Sequence, residues 1–114
     1  MEQQIEFYGY FLNHKHCKIV QYKCIGEKLS NSDKYYRTKF YYADSGKYMN
    51  QKLVHLDTFE QVKSFRVFSF NDDYEHYKQI ILDAYAKMIA DSKAIIEKQE
   101  KFLEKLKLST LKLH

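Results

Sequence analysis

Four side chains near the start of the chain, His14, His16, Cys17 and Cys24, are types that ligate metals. Zinc accepts two thiolates and two imidazoles, but its structural sites favour Cys-x2-4-Cys and His-x3-5-His pairs. Here the histidines are two positions apart and the cysteines seven, an odd separation that puts the thiols on opposite faces of one strand. The pattern reads as a polar turn beside small strand cysteines, so neither a metal nor any other cofactor is expected. Glu75 beside His76, preceded by Asp72 and Asp73, offers acid–base groups. A helix start recruits acids for its own stability, and no Gly-rich phosphate loop, His-x-x-x-His pair or Gly-flanked serine accompanies them. The expectation is a protein without catalytic chemistry.

A binding chemistry is more legible. In the run from Tyr35 to Ala43, alternation puts Tyr35, Arg37, Lys39 and Tyr41 on one face and Tyr36, Thr38, Phe40 and Tyr42 on the other. The former set is expected to face solvent and the latter to face the core. Rings between cations on an open sheet face suit single-stranded nucleic acid, because rings stack on bases and cations track phosphates. Tyr8 and Tyr10 extend such a face, helped by Lys18 and Lys23. The same residue types also anchor protein interfaces.

Two functions are therefore expected. The first is a small protein-interaction module of the kind phages and other mobile elements use as accessory proteins, binding a host protein or nucleoprotein complex and inhibiting or modulating it. The alternative is a single-stranded nucleic-acid-binding protein that uses the Tyr/Lys/Arg-rich face. A DNA mimic would be acidic, and this chain carries a net charge of +4. Its surplus sits between Leu12 and Leu56, where nine Lys or Arg face three acids.

These residues need a scaffold, and 114 residues with 45% hydrophobic and 30% charged side chains suit one globular domain spanning 1–114. Eleven Tyr and eight Phe with no Pro and only three Gly favour half-buried rings on a sheet and hint at an AT-rich genome. The polar opening reads as no signal peptide, no run is long and apolar enough to span a membrane, and reduced cysteines in a cytoplasm are expected.

Period-two alternation predicts strands at about 4–12, 17–25, 35–43, 48–56 and 64–70. Gly26–Asp33 reads as the longest loop, Asp44-Ser45-Gly46 as a hairpin turn, and Thr58 with Gln61 as the cap of a short helical turn. From about 72 to 108 the period changes to that of a helix, with Asp72 and Glu75 in capping-box spacing. The fold class is α+β, an antiparallel sheet of four to five strands (about 4–70) covered by one long C-terminal helix. The first part of that helix, through Tyr74, Tyr77, Ile81, Tyr85 and Met88, is the natural cover for the sheet's apolar face. The overhang, about Ser92 to Leu108, carries Ile95, Ile96, Phe102, Leu103 and Leu106, which a sheet this size cannot reach. Either the helix breaks near Asp91-Ser92 and folds back, or a second copy covers the band, and a homodimer is the expectation.

Overall fold

The computed structural model describes residues 4–29, 34–42 and 48–109. Its elements follow the predicted order: β1 (Gln4–Asn13), β2 (Lys18–Lys28), β3 (Tyr35–Tyr42), β4 (Tyr48–His55), a 3-10 turn (Leu56–Thr58), β5 (Arg66–Ser69) and α1 (Tyr74–Leu108). The strands form one antiparallel sheet in the order β4-β3-β2-β1-β5. This is the α+β class read from the sequence. The Asp44-Ser45-Gly46 turn lies outside the described residues. β2 runs on to Lys28, so Gly26 is a strand residue and not the first residue of a loop.

Gly26 is small because Phe7 lies against it: a Cβ there would meet the Phe7 ring at 3.0 Å. Gly9 likewise lets the Phe68 ring approach, at 3.1 Å from where its Cβ would stand. These close approaches accompany a strongly curled sheet. Phe40 on β3 and Phe68 on β5 have ring centroids 6.2 Å apart although two strands separate them, whereas a flat sheet with strands about 4.8 Å apart would hold them roughly 14 Å apart. The hollow of the curl is filled by Phe7, Cys24, Phe40 and Val54, with Phe59 from the β4–β5 connection lying on Phe7 at 5.0 Å.

The helix lies on the opposite face. Its buried residues Tyr77 and Ile81 cover Tyr10, Ile19 and Val67, which alternate with the hollow-facing positions. This corrects the sequence expectation: the apolar face of β3, with Thr38 and Phe40 fully or almost fully buried, is closed by sheet curl and the β4–β5 connection, while α1 sits on the Arg37 side. β1 supplies apolar residues to both faces, and period two alone does not say which face a later helix takes.

The β4–β5 connection is tight. Lys63 and Arg66 exchange backbone hydrogen bonds of 2.9 and 3.0 Å around Ser64 and Phe65, both left-handed with φ of 51° and 58°. That conformation disfavours a bulky ring, but it sets Phe65 on the helix-side cluster, 5.2 Å from the Tyr85 ring. The short helical turn is at Leu56–Thr58, earlier than expected, and its cap is His55, whose Nδ1 accepts from the Asp57 N–H at 3.0 Å. α1 is capped by Asp73, which accepts from the His76 N–H, rather than by Asp72. Asp72 instead accepts from Gln21 Nε2 at 2.7 Å.

Burial carries a pH consequence. The Cys24 thiol is fully enclosed, and that desolvation pushes its pKa far above the ordinary 9.0; Tyr10 is shifted upward for the same first reason. A raised folded-state pKa means that stability is whole below the unfolded value and is lost as pH rises past it. Urea midpoints should therefore hold steady up to about pH 9 and fall beyond it. Cys24→Ala should make that alkaline fall shallower relative to the parent, and an identical slope in the two proteins would refute the assignment.

Candidate functional site: an open sheet face and a projecting helix

The helix covers its sheet face only over β5, β1 and the start of β2, leaving the β3–β4 half of the same face open. Strand register lays this open half out in rows. Gln4, Glu27, Arg37 and Leu53 form one row, Glu6, Ile25, Lys39 and Gln51 the next, and Tyr8, Lys23 and Tyr41 a third. Tyr35 stands at the margin, 41% exposed, with its ring edge-on to His55 at 4.6 Å. Arg37 and Leu53 are exposed, Leu53 at 61%. Tyr35, Arg37, Lys39, Tyr41, Tyr8 and Lys23 thus share one side of the sheet.

The two other sequence candidates do not join them. Tyr10 is fully buried and not a surface ring: its hydroxyl donates to the Asn71 carbonyl at 2.8 Å and accepts from Gln21 Nε2 and the Asp73 N–H, both at 3.0 Å. Tyr has an apolar body and a polar tip, so alternation alone cannot separate a buried, tethered tyrosine from an exposed one. Lys18 stands at the far end of β2, beside the root of the helix. Tyr8 is half-buried and packs on the helix-side cluster.

The open half is electrostatically mixed. Lys23 pairs with Glu6 at 3.8 Å and Lys39 with Glu27 at 3.5 Å, each pair diagonal across two strands. Glu6 and Glu27 were not singled out from sequence, because their distance to the lysines depends on strand register. Their signal was parity: both occupy the outward positions of their strands.

A polar cluster where α1 meets β5, with Ser69 and Tyr77 buried and Glu60 and Asn71 reaching it from the surface, was also missed. The Tyr77 hydroxyl lies 2.6 Å from Ser69 Oγ and donates to Glu60 Oε2 at 2.9 Å; the Ser69 hydroxyl donates to Glu60 as well, and Asn71 Nδ2 donates to the Tyr77 oxygen at 3.3 Å. Glu60 reaches the cluster from a left-handed residue with φ of 63°. These groups satisfy one another and clamp the helix to the sheet. Among the described residues no group of three or more His, Cys, Asp or Glu could hold a metal. Cys17 is exposed in the hairpin turn, Cys24 is buried, and both thiols are free.

The second exposed feature is α1 itself. It is continuous through Asp91 and Ser92, 35 residues or about 52 Å long, and does not fold back. Every residue from Ala86 to Ser109 is exposed, so the overhang begins earlier than expected and Met88 lies beyond the sheet. Ile95, Ile96, Phe102, Leu103 and Leu106 are 49–63% exposed. They continue the columns of Ile81, Leu82 and Tyr85 at seven-residue intervals, while Ser92 and Gln99 occupy two steps of the Tyr85 column. Where the stripe meets the sheet, an apolar groove of about 500 Å³ opens between helix and hairpin, lined by Leu12, Cys17, Ile19, Tyr74, Leu82 and Tyr85 among others.

Comparison with family models, curated proteins and solved structures finds no match to this chain. Among the described residues, no helix is long and apolar enough to cross a membrane.

Proposed function

We propose that the chain is a small non-enzymatic protein-interaction module that grips a protein partner with the open half of its helix-side sheet face and is joined into a homodimer through α1. The observation that carries this reading is the mixed character of that face: Glu6 and Glu27 offset Lys23 and Lys39, leaving Arg37 among exposed Tyr35 and Leu53. Phosphate-tracking surfaces gather cations without acids among them, whereas an Arg and a Tyr beside apolar surface are typical anchors of protein interfaces. In the setting that composition suggests, a phage or other mobile element, the partner is a host protein or nucleoprotein complex that the module inhibits or modulates. Two free thiols suit a reducing cytoplasm. The alternative, single-stranded nucleic-acid binding, draws support from the shared placement of Tyr35, Arg37, Lys39 and Tyr41 beside Lys23.

Nuclease-treated extract of the source's host, passed over the immobilised protein, should yield a partner that Arg37→Ala with Leu53→Ala no longer retains. Truncation of an interface hot spot costs at least about 2 kcal/mol, roughly thirtyfold in affinity. Mobility-shift assays with single-stranded DNA or RNA at low salt should show no complex. A shift abolished by replacing Arg37 and Lys39 together, with a flattened salt dependence, would replace this reading with the nucleic-acid one.

A further inference from the structure

β4 is an outermost strand of the sheet, and among the described residues no strand pairs with its free edge. The hydrogen bonds beside it fix which backbone groups that edge presents. The Leu56 N–H donates to the Lys34 carbonyl at 2.9 Å, and the Thr38 hydroxyl donates to the Lys52 carbonyl at 3.0 Å. In an antiparallel ladder, successive residues alternate between facing the neighbouring strand and facing away from it. Lys52, Val54 and Leu56 therefore turn their N–H and C=O groups to β3, and Gln51, Leu53 and His55 turn theirs outward. At one end the Thr58 hydroxyl caps the His55 carbonyl at 2.6 Å, and at the other a bulge interrupts the register opposite Phe40, between Gln51 and Tyr48. The regular open edge thus runs from 51 to 55. Its outward residues carry their side chains on the open sheet face, in the rows of Lys39, Arg37 and Tyr35.

We infer that the protein partner gripped by this face adds an extended, acidic strand to the free edge of β4. The inference rests on the protein-interaction reading above and names the kind of segment that the partner brings. Strand addition joins main-chain hydrogen bonds to side-chain contacts at every second residue. On the open face, alternate side chains of the added strand fall beside exposed Leu53 and two strand spacings, about 10 Å, from Arg37, within the joint reach of a guanidinium and a carboxylate. On the other face they fall beside exposed Lys52. Charge selects the occupant. β3 and β4 hold Arg37, Lys39 and Lys52 and no acid. Glu27 answers Lys39, whereas among the described residues no carboxylate pairs with Arg37 or Lys52. A second copy joined β4 to β4 would bring two such cationic strand pairs together, and like charges across strands destabilise a sheet. A strand bearing carboxylates satisfies both the cations and the edge.

Amide hydrogen exchange read by NMR tests the edge in the full chain. Without a partner, the amides of Gln51, Leu53 and His55 should exchange far faster than those of Lys52 and Val54. Equal protection of both sets, or protection of the outer set that grows with protein concentration, would show the edge already covered by this chain or by a second copy and overturn the inference. The immobilised protein should then select acidic, strand-forming sequences from a random dodecapeptide display library. A selected peptide should slow exchange at Gln51, Leu53 and His55. Methylating one alternate set of its backbone nitrogens, which keeps every side chain, should weaken it about tenfold or more, and methylating the other set should not. No enrichment, enrichment of basic or helix-forming peptides, or methylation without effect at either set would overturn strand addition. If Arg37→Ala with Leu53→Ala still abolishes capture of the host partner in that case, the face reading stands without it. Capture that the same pair of changes leaves intact would remove the face reading and this inference together.

Discussion

Ile95→Glu combined with Phe102→Glu should turn a dimer into a monomer without unfolding the sheet. Light scattering at tens of micromolar should read the mass change, while circular dichroism retains the strand signal. Both residues lie past the last helix–sheet contact and are more than half exposed in the single chain, so the substitutions remove nothing the sheet needs. Full burial of a large apolar side chain is worth roughly 1.5–3 kcal/mol. Two such losses per chain, doubled by symmetry, compare with about 8 kcal/mol for an entire micromolar complex, before the cost of desolvating four carboxylates. The effect is therefore close to all-or-none. Ser92→Glu alone should have a smaller effect than the double variant, because it adds one carboxylate per chain and removes no apolar side chain. Equal masses for parent and double variant would leave the exposed stripe without this role.

The helix and the succession of elements along the chain were legible because the chain changes period cleanly at Asn71. Strand limits fell within a few residues, and the outward placement of Arg37 and Lys39 followed from alternation alone. The rest depended on contacts distant in sequence. Tyr10 read as a surface ring because its alternation matches that of Tyr8; only Asn71 and Asp73, more than sixty residues later, make its hydroxyl a tether. Gly26 read as a loop because glycine usually breaks strands, whereas here the Phe7 ring on the neighbouring strand takes up the space of the missing side chain. Glu6 and Glu27 change the chemistry of the open face, yet they enter it only through strand register. The Ser69–Tyr77–Glu60 cluster had one local signal, a serine two residues after Val67 on the inward parity of its strand.

Ile81→Ala should be the most destabilising single change on the helix, lowering unfolding free energy by about 2–5 kcal/mol in urea titrations monitored by circular dichroism. Ile81 is fully enclosed between α1 and the Tyr10–Ile19–Val67 surface, so truncation loses its transfer free energy and leaves a cavity that the stacked Tyr10 and Tyr77 rings, 4.6 Å apart, hold open. Such a loss is a large part of the roughly 5–15 kcal/mol that a domain commonly has. Tyr77→Phe should cost less, roughly 1–3 kcal/mol, because it removes one hydroxyl from the cluster while Ser69 and Glu60 keep each other bonded. The order matters as much as the size. If shape at the helix–sheet seam dominates, Ile81→Ala exceeds Tyr77→Phe, and both exceed Met88→Ala, whose side chain lies beyond the sheet. An Ile81→Ala protein within about 0.5 kcal/mol of the parent would show that α1 is held by its polar clamp, and the apolar contact would lose its place in the account.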